Sequence, residues 1–190
     1  MLQFNFDGAK KPLFNGSYSQ LQVDSITAIL KEAASQGITL KTQVAYILAT
    51  AYHEAFDYDG KSTGKIQRFV PIKEKGPESY LRAKKYYPHI GYGFAQVTWL
   101  DNYKKLRQPI IDRFGKDIDV VKNPGLLLSI DVAAFAIVYG MIHGIYTTKK
   151  LSDFINSKVT NFKGARTIIN GTDKAALIET YAVKFLSYIL

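Results

Sequence analysis

The chain has 190 residues, 47% of them hydrophobic, with 25 Lys and Arg against 16 Asp and Glu and a formal charge of +9. That length suits one ordinary domain with a real core, and the apolar content excludes a disordered chain. The absence of cysteine excludes disulfides, thiol catalysis and the usual zinc-finger ligands, while the charge asks for an acidic partner: nucleic acid, an anionic membrane surface or an anionic wall polymer.

In chain order, the opening MLQFNFDGAKKPLF has no long apolar run behind a basic segment, so no signal peptide is expected. Residues 1–18, with Gly8, Pro12 and Gly16, read as an irregular arm. A helix is expected over 19–36, with Leu21, Ile26, Ile29, Leu30 and Ala33 on its inner face and Gly37 as its stop. Thr39 is a cap for the next helix, in which Val44, Ile47, Leu48, Ala51 and Ala55 recur at steps of three and four and form one stripe. Glu54 turns toward that stripe. Two readings stay open for it: an acid among hydrocarbon, kept protonated by desolvation and the negative helix end and so able to act as a general acid, or an edge residue paired with a surface Lys.

From 56 to 76 the pattern breaks at Gly60, Gly64, Pro71 and Gly76, predicting a loop of about twenty residues that carries Glu74. Pro77 opens a short helix through 87, rich in Lys, Arg and Tyr. YYPHIGYGFAQVTWLDNY, at 86–103, predicts a tight turn leading into a short extended piece or a helix, and a helix over 101–114 contains Pro109. After the turn NPG, the run LLLSIDVAAFAIVYGMIHGIY at 126–146 approaches membrane-spanning length. Asp131, His143 and two glycines make it instead the central helix of an all-α core. A short helix at 149–157 and the glycine turn of NFKGARTIING precede a closing amphipathic helix, capped by Thr172 or Asp173, with Leu177, Tyr181, Phe185, Leu186 and Ile189 as its apolar face. That face either packs on the core or, with Lys174 and Lys184 elsewhere on the helix, disturbs an anionic outer membrane. No repeat or linker interrupts the chain, so one mostly α domain over 1–190 is expected, with helices in two lobes around a cleft.

Paired carboxylates are the chemical lead. Glycoside hydrolysis needs one acid to protonate the leaving oxygen and a second carboxylate to activate water or attack the sugar. Glu54 and Glu74 supply such a pair, with Asp57 and Asp59 competing for the second role. His53 and Glu54 begin the zinc-peptidase pattern H-E-x-x-H, but its fifth position is Asp57, so a ligand is missing and no metal is expected. His89 reads as a loop residue and His143 as a core histidine. Tyr80, Tyr86, Tyr87, Tyr92 and Tyr103 divide between sugar stacking and framework. Arg82, Lys84 and Lys85 form a basic patch that, with no nucleic-acid fold signature beside it, reads as a solvated or wall-attracted face.

The runs AYHEAF, FVPIKE, YYPHIGYGFAQVTWLDNY and ARTIING, in that order, are similar to glycoside hydrolase family 19, the plant-type chitinases and related bacteriophage endolysins, over roughly residues 40–185. GYGFAQVTWLDNY resembles the family signature G-R-G-(F/Y/P)-(I/V)-Q-L-(T/S)-x-x-x-N-Y, and the lack of cysteine with the ending IINGTDKA brings the endolysin branch closer. The resemblance implies a lysozyme-like fold in which Glu54 is the general acid, Glu74 the general base, and Thr98 helps to hold the attacking water. It implies that Gln96, Asn102, Tyr103 and Asn170 line the sugar groove, that the reaction inverts, and that no metal or organic cofactor takes part. Tyr92 stands where the family has Arg between two glycines, leaving Arg82 or Arg166 to pair with a catalytic carboxylate. The implied function is an endolysin, an N-acetylmuramidase that hydrolyses the β-1,4 bond between N-acetylmuramic acid and N-acetylglucosamine in peptidoglycan and lyses the host. It would be a monomer without nucleic-acid partners, made in the host cytoplasm and brought to the wall with a holin-type partner. The alternatives are a chitinase on N-acetylglucosamine polymers and a non-catalytic wall-binding or phage structural module.

Overall fold

The structure, a computed structural model, describes residues 1–58 and 66–190, so Asp59, Gly60, Gly64 and the side chain of Asp57 lie outside the described part. Asn5 accepts a hydrogen bond from the Gly8 N–H (2.9 Å) and caps α1 (Phe6–Phe14), where the sequence predicts an irregular arm. Pro12 removes one helical donor, but Ala9, Leu13 and Phe14 are buried by this turn of chain, and their burial outweighs the lost bond. In α2 (Gln20–Ser35) Ser19 and Gln22 form a capping box, and Gly37 follows at φ +77°. Ile26, Ile29, Leu30 and Ala33 face inward as expected. Leu21 does not; Gln22 is buried in its stead and donates to the Arg68 carbonyl (3.0 Å).

Helix α3 (Lys41–Glu54) starts after Leu40 without a side-chain cap, so Thr39 does not serve as one. Every residue from Val44 to Ala51 is buried, a wider burial than the predicted stripe. Of the expected long loop, residues 59–65 lie outside the described part, and the described residues on either side of them include short strands. Strands β1 (Phe56–Tyr58) and β2 (Ile66–Arg68) pair antiparallel with Phe56 opposite Arg68, and β3 (Ile72–Lys73) pairs with β4 (Tyr92–Gly93), Ile72 opposite Gly93. Between these strands α4 (Glu78–Arg82) ends earlier than predicted, and α5 (Leu100–Phe114) runs through Pro109.

The long apolar run divides at Ser129 into a 3-10 turn (Pro124–Leu128) and α6 (Ile130–His143). Among the described residues no helix is long and apolar enough to cross a membrane. The two histidines exchange their expected places: His143 is exposed at the end of α6, with its ring 4.1 Å from Tyr139, whereas His89 is buried with Nε2 3.1 Å from the Val121 carbonyl. Helices α7 (Leu151–Phe154) and α8 (Phe162–Ala165), then a 3-10 turn (Arg166–Ile168), lead to α9 (Ala175–Leu186). Lys174 precedes α9 at φ +58°, and neither Thr172 nor Asp173 caps it. The buried face is Ala175, Ile178, Ala182 and Phe185, continued by Ile189, with Tyr181 and Leu186 partly buried against the core; of the predicted face only Leu177 is exposed.

The architecture is predominantly helical with two small two-stranded sheets. Helix α9 lies along α3, and α2 packs against α6. Near the ends of the chain the Asn5 N–H donates to the Tyr188 carbonyl (2.8 Å) and the Leu190 N–H to the Gln3 carbonyl (2.9 Å). Behind this pairing Phe185 meets Phe4, Tyr52 and Phe69 with ring centroids 6.0, 5.5 and 5.6 Å apart. Phe185→Ala is therefore expected to destabilise the protein by about 3–5 kcal/mol in urea unfolding. A loss below about 1 kcal/mol would remove this ring from the centre of the cluster.

Candidate active site

The end of α3, the chain after β3, the hairpin leading into α5 and the segments after α6 and α8 enclose a cleft of about 830 Å³. Glu54, the last residue of α3, lies on its wall. Its Oε1 accepts from Nη1 of Arg166 in an ion pair whose guanidinium is buried, and Arg166 Nε also donates to the Asp173 carbonyl (3.0 Å). Neither open reading of Glu54 describes this. The acid is not isolated among hydrocarbon and its partner is no surface Lys. Among the described residues Oε2 carries no hydrogen bond. Of the two arginines named as substitutes for the one absent at Tyr92, Arg166 makes the pair, while Arg82 bonds Glu78 at the surface (3.1 Å).

Glu74, on another part of the wall, is held from two sides. Its Oε2 accepts from the Gly91 N–H (3.0 Å) and its Oε1 from the Tyr86 hydroxyl (3.0 Å), while its own N–H donates to the Gly91 carbonyl (2.6 Å). A side chain at Gly91 would crowd this arrangement: a Cβ there would lie 2.8 Å from Gln96 Oε1 and 3.3 Å from the Glu74 Cβ. Burial, and then the bond to Glu74, push the Tyr86 hydroxyl above the ordinary tyrosine range, so it remains a donor through neutral pH.

The remaining predicted residues separate into wall and support. Thr98 lines the cleft, and its carbonyl accepts from Asn102 Nδ2 (3.0 Å), which lines it too. Gln96 shows one edge to the cleft and uses its amide NH₂ on the Ile72 and Gly93 carbonyls (2.9 and 3.0 Å). Asn170 is exposed on the wall and accepts from the Gly171 N–H (2.9 Å). Tyr103 is different: it is fully buried on the inner face of α5, with its hydroxyl 2.8 and 3.0 Å from the Ile90 and Val97 carbonyls, and does not line the groove. It holds the hairpin from behind. Tyr80 and Tyr87 are exposed away from the cleft lining, and Tyr92 belongs to β4.

Sequence reasoning missed Trp99, Thr147 and Lys149, all on the wall. Trp99 stood inside the quoted signature, and its aromatic type next to Thr98 was a usable signal. Thr147 and Lys149 follow the apolar run and carry no local sign. Of the competitors for the second carboxylate, Asp57 and Asp59 lie outside the described side chains. His53, half-buried beside Glu54, has its pKa lowered by burial, against the opposing pull of the Glu54 charge. Compared with known proteins, the chain matches no family model and no curated protein.

Removing one partner of a buried pair strands the other charge. Arg166→Met is expected to cost about 3 kcal/mol in urea unfolding, the low end for such pairs because Glu54 keeps an edge in solvent. Adding Glu54→Gln to that variant is expected to recover part of the loss, and strict additivity would argue against the coupling. The lowered His53 pKa favours neutral imidazole in the fold. Its contribution is present above the ordinary histidine value of about 6.5 and is lost as pH falls through the depressed folded value. A stability-against-pH profile of His53→Gln is accordingly expected to be flatter than that of the wild type below about pH 6.5.

Proposed function

We propose that the chain is a peptidoglycan-degrading glycosidase of the endolysin type, with helices in two lysozyme-like lobes, hydrolysing the β-1,4 bond between N-acetylmuramic acid and N-acetylglucosamine. The observation that carries this reading is the cleft itself. Two glutamates from different elements line it, Glu54 steadied by Arg166 and Glu74 by Tyr86 and Gly91, with Thr98 and Asn102 on the same wall. Two carboxylates fixed by different partners suit two different roles. Glu54, in its protonated form, delivers a proton to the departing sugar oxygen, and Arg166 fixes its orientation. Glu74 takes a proton from a water held partly by Thr98, which attacks the sugar from the opposite face as it passes through an oxocarbenium-like state. Inversion requires the two carboxyl groups to stand about 6.5–9.5 Å apart, leaving room for the water.

The charge of +9 would concentrate the enzyme on an anionic wall, an attraction weakened by salt. On this reading synthesis takes place in a host cytoplasm, and a holin-type partner opens the way to the wall.

The test is release of reducing ends from purified peptidoglycan, with mass spectrometry of the fragments. Wild type is expected to release fragments ending in reducing N-acetylmuramic acid, and Glu54→Gln and Glu74→Gln to lower the rate by about 10²–10⁴-fold. Preferential cleavage of soluble chitin oligomers would shift the substrate to the chitinase alternative. No new reducing ends from wild type would overturn the glycosidase reading in favour of a wall-binding module.

A further inference from the structure

Two non-glycine residues close together on the cleft wall hold left-handed φ values, Gln96 at +49° and Trp99 at +69°. Gln96 gains two framework bonds from its position. Trp99 has no such return. With ψ at 130° it lies outside even the small left-handed basin that L residues visit, in backbone territory suited to glycine. It also stands at the N-cap of α5, where Ser, Thr, Asp or Asn would close the helix with a side-chain bond, and Trp makes none. The residue is 51% exposed, so the core does not explain it either.

Backbone, cap and burial preferences all oppose tryptophan here, yet the surroundings enforce the conformation. The Trp99 N–H donates to the His89 carbonyl (3.0 Å), and the Trp99 carbonyl accepts from the N–H groups of Asn102 (3.0 Å) and Tyr103 (3.3 Å). A strained residue, over-determined by its neighbours and presenting a large ring to a cleft, is the pattern of a ligand site. The Trp99 ring centroid is 5.1 Å from that of Tyr86, with the planes at 59°, and Tyr86 is the residue that donates to Glu74. The two rings make a fixed corner on the Glu74 side of the cleft. A pyranose fits such a corner, with its C–H face on the indole and its hydroxyl and acetamido rim toward polar groups. A phosphate backbone fits it poorly, because Glu54 and Glu74 line the same space.

Resting on the glycosidase reading, we infer that Trp99 is a sugar-stacking platform that seats a β-1,4-linked N-acetylglucosamine unit beside Glu74 and sets productive binding. It is the only tryptophan in the chain, so indole fluorescence reports this position alone. Titration of the Glu54→Gln protein with the soluble β-1,4 tetramer of N-acetylglucosamine is expected to shift its emission saturably, with the Kd that calorimetry reads. Trp99→Gly in the same background is expected to weaken that Kd about tenfold while leaving the thermal midpoint unchanged or raised, since glycine relieves the backbone. A purely structural tryptophan would give the reverse, a lowered midpoint and an unchanged Kd. That result, an emission that stays put while calorimetry records binding, or no binding of the tetramer at all overturns the platform. So does emission that responds to an oligothymidylate and not to the glycan. The reducing-end assay on peptidoglycan judges the glycosidase reading separately.

Discussion

From Val44 to Ala51, α3 has no face left to solvent. A helix ordinarily turns a polar side outward, and one that cannot do so has its position dictated by every neighbour at once, here α9 along its length with α2 and α6 also against it. One of its polar groups is satisfied within the helix: the Thr50 hydroxyl donates to the Tyr46 carbonyl (2.9 Å). The core therefore fixes where the helix emerges, and Glu54 stands at that exit. Its direction follows from packing, with Arg166 then bonding it from 112 positions away in the chain.

The facing part of the wall is rigid for a different reason. Two short strands would be weak alone, but β3 and β4 are reinforced by bonds that converge on the 89–99 segment. His89 is wedged between the Val121 carbonyl and the Tyr103 ring, 4.9 Å away. Gly93, at φ +78°, lies so close to the 3-10 turn that a Cβ would come within 3.0 Å of the Leu127 carbonyl. Glu74 is thus held by a backbone that is itself pinned, and the burial behind it needs no part of the cleft to be apolar.

What the sequence disclosed tracks how local each cause is. Helices α2 and α3 were legible from apolar periodicity, and the glycine after α2 from its stop signal. Helix α1 was not, because the burial of Leu13 and Phe14 that offsets Pro12 depends on partners distant in the chain. The face of α9 was placed correctly except at Leu177, for the same cause: Leu177 and Ile178 are equally apolar, and only the packing along α3 chooses between them. In the site, Glu54 and Glu74 were visible as residue types in recognisable surroundings. Arg166 could be named only as one of two arginines, since an ion pair across the fold leaves no trace in spacing. Tyr103 was misplaced because a motif does not distinguish a side chain facing a groove from one holding its wall. His143 shows the limit of composition: an apolar neighbourhood in sequence still ends at a helix terminus, where the last turn meets water.

The cleft draws on the chain from Glu54 to Asn102 and again from Tyr146 to Gly171, and this division has a consequence during synthesis. At about 5–20 residues per second, roughly 6–22 s separate the emergence of Glu54 from that of its partner 112 positions later. Throughout that interval a nascent chain holds one bank without the other, and α3 has no α9 to lie along. Whatever chemistry the cleft performs is thereby withheld from the unfinished polypeptide, and the ribosome acts as a timer on the competence of each molecule.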